Sequence, residues 1–191
     1  MSGPWGLLAE WYAQAEQSEP RVPDAMQLAT VDGQGRPSIR TVLMKDFGPA
    51  GIVFFTNYES RKGVELGISG HVALVLHWKT GERQVIVEGV AVRAAAAVSD
   101  AYHRSRPRGS QLGAWASDQS RDLDAPGTLR DRLAEVTARF EGVDVPRPPH
   151  WGGYVVTPTR FEFWQGRQDR LHERRVFESE DDDWAESLLF P

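Results

Sequence analysis

The chain has 191 residues, 40% hydrophobic and 26% charged, with a formal net charge of -5; the length suits one domain on one core, the composition is globular rather than disordered, and the acidic balance argues against a general nucleic-acid binder. There are no cysteines, so disulfides, thiolate metal sites and cysteine nucleophiles are excluded. No apolar run approaches the ~20 residues of a membrane span, and the start Met-Ser-Gly-Pro-Trp-Gly lacks the basic and apolar regions of a secretion signal, so the expectation is a cytoplasmic protein with no membrane and no nucleic-acid partner.

In chain order, Trp5, Leu8, Trp11, Tyr12 and Ala15 recur at helical spacing over Pro4–Gln17, with Pro4 suited to a first helical turn and Pro20 and Pro23 beyond the end. Met26–Val31 reads as a strand, Asp32-Gly33-Gln34-Gly35 as the turn of a hairpin into Ser38–Lys45, and Gly48-Pro49-Ala50-Gly51 as a second turn before the strand Ile52–Thr56. Ser60 is placed to cap a short helix from Arg61 to about Leu66. Strands His71–Trp78 and Arg83–Val92 follow, then helical segments Ala94–Arg104, Ser110–Ser117 and Pro126–Phe140, a stiff linker through Pro146, Pro148 and Pro149, and strands Tyr154–Trp164, Arg170–Glu178 and Trp184–Leu189, with Asp181-Asp182-Asp183 as a hairpin turn. Dense antiparallel strands that avoid exposed edges by closing up predict a barrel. The fold class is mainly β with peripheral helices (α+β).

Four windows carry polar groups that a purely structural element does not require. Arg40 and Lys45 flank the apolar stretch Thr41–Met44, and Arg61-Lys62 follows a strand at the mouth of a helix. A helix N-terminus beside two cations is a natural anion site, although two surface charges on a turn explain the same residues. Tyr102–Ser110 carries Arg104, Arg106, Arg108 and Ser110, a set suited to phosphate or to neutralising nearby acids. In Phe161–Arg175, Glu162, Trp164, Arg170, His172 and Arg174 alternate. If the last three lie on one strand they share a face, which either meets solvent or lines a polar pocket. The five histidines show no metal-binding spacing, so no metal is expected. Nucleophile elbows, P-loops and dinucleotide fingerprints are missing.

Taken together, the stretches RTVLMK (40–45), FFTNYESRK (54–62), ERQV (82–85), SRPRGSQLGAWASDQS (105–120), WGG (151–153) and EFWQGRQDRLHER (162–174) resemble the pyridoxine/pyridoxamine 5'-phosphate oxidase family, in the family's order and over nearly the whole chain from Ala25. The resemblance implies an FMN-binding split β-barrel over residues 1–191, with an N-terminal helix in 1–20 and the barrel with packed helices in 21–191. It implies a homodimer with its sites at the subunit interface and oxidation of pyridoxamine or pyridoxine 5'-phosphate to pyridoxal 5'-phosphate, with O2 as acceptor and hydrogen peroxide as product. It further implies that Arg40, Thr56, Arg61, Lys62, Gln84, Gln119, Ser120, Trp164 and Arg174 bind FMN. Lys45, Tyr102, Arg106 and Ser110 are implied to hold the substrate phosphate, with Arg170 and His172 against its ring as the catalytic pair.

The chain departs from the family in three places. About two dozen residues precede the first strand where the family usually has a longer, basic segment that closes over the substrate. Leu188 stands where the family often ends Arg-Leu-x-Pro, and Gly109 where an acidic residue often precedes the phosphate-binding serine. The alternatives are a related FMN oxidase acting on another ring, such as a phenazine-pathway intermediate, and a flavin- or PLP-binding module without turnover. The joint presence of Lys45, Tyr102, Arg106 and Ser110 favours the B6 phosphate.

Overall fold

The computed structural model describes residues 3–19, 21–181 and 183–191. Helix α1 (Pro4–Ser18) starts with proline at its first position and buries Leu7, Leu8, Trp11 and Ala15 on one stripe. Trp11 meets Phe163 edge-to-face at 5.3 Å and Trp5 meets Phe161 at 5.0 Å, so the helix packs on the sheet core.

Strand β1 (Ala25–Val31) alternates half-buried and buried positions, as a strand with one face in the core must. It forms a hairpin with β2 (Pro37–Leu43). Asp32 shapes the turn by accepting the amides of Gln34 and Arg36, and Gly35 supplies the left-handed φ of +78°. A short β3 (Asp46–Gly48) then pairs with β4 (Gly51–Asn57). Helix α2 (Arg61–Ile68) opens on Ser60, whose hydroxyl accepts the Gly63 amide. Strands β5 (His71–Trp78) and β6 (Arg83–Arg93) follow, then helices α3 (Ala96–Ser105), α4 (Arg108–Ala116) and α5 (Thr128–Arg139), and finally β7 (Trp151–Gln165), β8 (Glu173–Glu180) and β9 (Asp183–Leu189).

The strands run β2-β1-β5-β6-β7-β4-β3 in space, all antiparallel, with β8 and β9 added beyond β7. β2 comes back beside β4 as the sheet curls into a barrel, and the Lys45 amide, between β2 and β3, donates to the Val53 carbonyl at 2.8 Å, extending the β3–β4 ladder toward β2. β7 divides its free edge: residues 151–156 pair with β4 and 160–165 pair with β8. Met26, Leu28, Phe54, Leu74, Leu76, Val85, Phe161, Phe163 and Phe177 fill the interior. No described helix is long and apolar enough to cross a membrane.

The expected mainly-β fold with packed helices is the one observed. β3 was not anticipated, because three residues carry too little periodicity. β7 begins at Trp151 rather than Tyr154: Gly152 and Gly153 look like strand breakers, yet they pair with Thr56 and Phe55. A Cβ on Gly152 would lie 2.1 Å from the Tyr58 hydroxyl, so close packing requires the glycine. The strand expected from Arg170 begins at Glu173. In the expected Asp181–Asp183 turn, Asp181 has a φ of +50° and Asp183 opens β9, while Asp182 lies outside the described residues.

Candidate active site

The end of β4, the N-terminus of α2 and the segment after α4 converge on one buried ammonium. Lys62 Nζ donates to Gln119 Oε1 at 2.7 Å and to the hydroxyls of Thr56 and Ser60, both at 3.2 Å. All three acceptors are neutral, and no carboxylate lies within ion-pairing distance among the described residues. Burial, followed by repulsion from Arg40, lowers the Lys62 pKa to about 8, against an opposing pull from Glu65. A buried cation bonded only to neutral oxygens is the environment an anionic ligand completes. Ser120 lies in the same segment, exposed, with a left-handed φ of +71°.

Arg40 on β2 and Arg61 on α2 stand next to this lysine. Both are tied to the buried carboxylate of Glu65, with Arg61 Nε at 2.8 Å and Arg40 Nη2 at 3.2 Å. Burial on its own raises the Glu65 pKa, but hydrogen bonds from Ser38, Thr30, Arg61 and Arg40 outweigh it and hold the value at about 2.

A cavity of about 300 Å³ opens beside Lys62 and is lined by Lys45, Phe55, Thr56, Tyr102, Arg106, Gln119 and Trp151 among others. A second, of about 220 Å³, adds Asn57, Ser110 and Ser117 and shares Arg106, Gln119 and Trp151. Their wall is an aromatic stack: Phe55 lies 3.9 Å from Tyr102 and 5.6 Å from Trp151, with interplanar angles of 16° and 12°. The Arg106 guanidinium sits 4.6 Å over Trp151, and its buried Nη1 has no hydrogen-bond partner. Lys45 is salt-bridged to Asp24 at 2.6 Å. Of the residues expected to hold two phosphates, Lys45, Lys62, Tyr102, Arg106, Ser110 and Gln119 line these two adjoining cavities, whereas Arg40, Arg61 and Ser120 line neither.

The remaining expected residues form a second group at the other end of β7. Gln84 pairs across the sheet with Trp164, and Trp164 with Arg174. Arg174 donates to the buried Glu162 from Nε at 2.8 Å. His172 packs on Trp164 with ring centroids 4.7 Å apart, and its Nδ1 accepts the Arg167 amide. One expectation is corrected here: Arg170, His172 and Arg174 do not alternate along one strand. Residues Gln168–Arg170 form a 3-10 turn in which Asp169 and Arg170 take left-handed φ values of +56° and +61°, and pairing with β7 starts only at Glu173. Local turn geometry has overridden the apparent period, leaving Arg170 exposed and His172 half-buried.

Sequence reasoning missed the Phe55–Tyr102–Trp151 stack, Asn57 and Glu65. Only Glu65 left a local trace, four residues after Arg61 on one helix. The aromatic contacts join residues 47 to 96 positions apart, which no local pattern reports.

Comparison with known proteins bears on the family of the chain. Residues 13–140 match the family model described as pyridoxamine 5'-phosphate oxidase, and residues 151–191 match that described as the pyridoxine 5'-phosphate oxidase C-terminal dimerisation region. A pyridoxine/pyridoxamine 5'-phosphate oxidase of Sphingopyxis alaskensis is 53% identical over 188 residues, covering 98% of this chain and 87% of that protein. One of Brucella canis is 47% identical over 190 residues, covering 98% and 94%. Among solved structures, PhzG from Burkholderia lata in complex with tetrahydrophenazine-1-carboxylic acid superposes with a TM-score of 0.94 at 35% identity, over 100% of this chain and 94% of that one. By both family models and by relatives aligned over nearly its full length, the chain belongs to the pyridoxine/pyridoxamine 5'-phosphate oxidase family.

Proposed function

We propose that this protein oxidises pyridoxamine or pyridoxine 5'-phosphate to pyridoxal 5'-phosphate with FMN as its cofactor and O2 as the electron acceptor. The observation that carries the reading is the pairing on one cavity of two cations without an ion-pair partner among the described residues: Lys62, buried among neutral oxygens, and Arg106, whose buried Nη1 also lacks a hydrogen-bond partner. A phosphate at each position supplies the missing negative charge. The fit to FMN rests on the donor chemistry around Lys62: Arg40, Arg61 and the hydroxyl of Ser120 suit a phosphate ester, and Thr56 and Gln119 suit a polyol chain.

When bound, the isoalloxazine supplies the redox chemistry, taking two electrons from the substrate carbon and passing them to O2 to give hydrogen peroxide; for the amine substrate, water completes the balance and ammonia leaves. The chain's own residues bind and orient. Lys45, Tyr102, Arg106 and Ser110 anchor the substrate phosphate far from the reacting carbon, so that remote binding energy fixes the ring's position. Arg170 lies against the pyridine ring and steadies the substrate as it loses its proton, and His172 orients the ring by hydrogen bonding. Gln84, Trp164 and Arg174 complete the flavin site.

These last five residues sit at the far end of β7. From Gly152, which pairs with Thr56, to Trp164 is twelve residues, up to about 40 Å of extended chain at ~3.3 Å each, and hydride transfer needs contact within about 3.5 Å. The reading therefore takes the second group from a partner subunit of a homodimer, in keeping with a C-terminal segment that matches a dimerisation region.

Aerobic turnover of pyridoxamine and pyridoxine 5'-phosphates by FMN-reconstituted protein, followed as pyridoxal 5'-phosphate formation, tests the proposal. Steady product supports it. A protein that holds stoichiometric FMN and forms no product would favour a flavin oxidase for a ring without phosphate, of the kind seen bound to PhzG.

A further inference from the structure

We propose that Glu65 is the positioning residue of the flavin phosphate site, holding Arg40 and Arg61 in place before the ligand arrives; the inference rests on the FMN reading given above. Glu65 sits one turn into α2 and is 3% exposed. Both of its oxygens accept hydrogen bonds. Oε1 accepts Arg61 Nε at 2.8 Å, and Oε2 accepts the Ser38 hydroxyl at 2.6 Å, Arg40 Nη2 at 3.2 Å and the Thr30 hydroxyl. One carboxylate thus ties a cation on the helix to a cation on β2, with two hydroxyls of the β1–β2 hairpin completing its shell. Arg40 is fixed further by donating to the Leu28 carbonyl at 3.2 Å and to the hydroxyl oxygens of Thr30 and Ser38.

The charges favour a ligand rather than a purely structural ion pair. Arg40, Arg61 and Lys62 bring three positive charges and Glu65 one negative charge, leaving a net of two. A phosphate monoester carries roughly -1.5 to -2 at neutral pH, so it matches the cluster with Glu65 in place and not without it. Three cations crowded without a counter-charge repel one another, as the lowering of the Lys62 pKa by Arg40 and its raising by Glu65 indicate. Holding the donors in place beforehand removes the cost of ordering them on binding.

The test is the dissociation constant of the full-length protein for FMN and for riboflavin, which lacks the phosphate, read by flavin fluorescence in wild type and Glu65→Gln. The substitution makes the site more positive, so charge alone predicts tighter FMN. Positioning predicts the opposite: FMN weakened about tenfold or more, with riboflavin changed less than about twofold. Unchanged or tighter FMN binding overturns the proposal, as does equal weakening of both flavins, which marks a general structural role. If Glu65→Gln does not fold, Thr30→Val removes one hydroxyl from the same shell and is expected to give a smaller FMN-selective loss; no selective loss overturns the proposal. A wild type that does not prefer FMN over riboflavin brings down the site reading itself, whereas a wild-type preference left intact by both variants brings down Glu65 alone.

Discussion

Arg106 lies 4.6 Å over the ring of Trp151, and that ring stacks with Phe55, the neighbour of Thr56 on β4. Arg106 and the end of β4 that carries Thr56 therefore share one aromatic wall. Arg106→Lys keeps the charge but loses the planar stack and the fork. It is expected to raise KM for the phosphorylated substrate about tenfold with kcat little changed, and Arg106→Ala to raise it further. Steady-state kinetics checks this, and an unchanged KM would place the phosphate elsewhere.

FMN affinity should depend on pH through Lys62. Its pKa in the free protein is about 8, and a bound phosphate raises it by favouring the ammonium. The complex then holds more protons than the free protein above about pH 8, so affinity falls as pH rises through that value. Titrations across pH 7 to 9.5 should show the loss in wild type and a flat profile in Lys62→Met, with weaker binding throughout. A wild-type affinity that stays constant over this range would remove Lys62 from the phosphate site.

A site shared between subunits makes a prediction about mixtures. Assayed with substrate well below KM, Arg106→Ala and Arg170→Ala are each expected to be nearly inactive. Random reassociation gives half heterodimers, each with one intact site, so activity should return to about a quarter of wild type. No recovery on mixing would place both groups in the same subunit's site.

Gly63 stands at the start of α2, where a Cβ would lie 2.2 Å from the Tyr58 carbonyl oxygen and 2.7 Å from that of Asn57. Backbone atoms cannot yield as a flexible side chain does, so Gly63→Ala must shift the helix start. The expected cost is about 1–3 kcal/mol in urea denaturation, with weakened FMN binding because Lys62 moves with the helix. Wild-type stability in this variant would show that the turn can relax freely.

Glu65 carries an acid-stability signature. Its folded pKa of about 2 lies below the ordinary 4.5, so its contribution is present above about pH 4.5 and is lost as pH falls toward 2. Glu65→Gln should flatten that part of the stability curve, measured as denaturation midpoint against pH. An unaltered acid limb would mean that other carboxylates govern it.

The sequence by itself determined the local elements and the chemical kinds of the site. Alternation in β1, the helical stripe in α1 and the Ser60 cap are set by neighbours within a few residues, so they were legible. The basic windows were legible as well, because residue type and order are enough to suggest anion binding. Tertiary structure decided the rest. Only packing shows that Lys62 is bonded to neutral oxygens alone, that Glu65 binds cations from two elements, and that Gly152 continues a strand because Tyr58 crowds it. The alternation of Arg170, His172 and Arg174 misled for the same reason: a period constrains a face only once pairing exists, and the left-handed turn at Asp169 and Arg170 delays pairing to Glu173. Local propensities act over a few residues, whereas burial and charge compensation are fixed by contacts tens of residues apart, and these bring Lys62 and Arg106, distant in the sequence, onto one cavity.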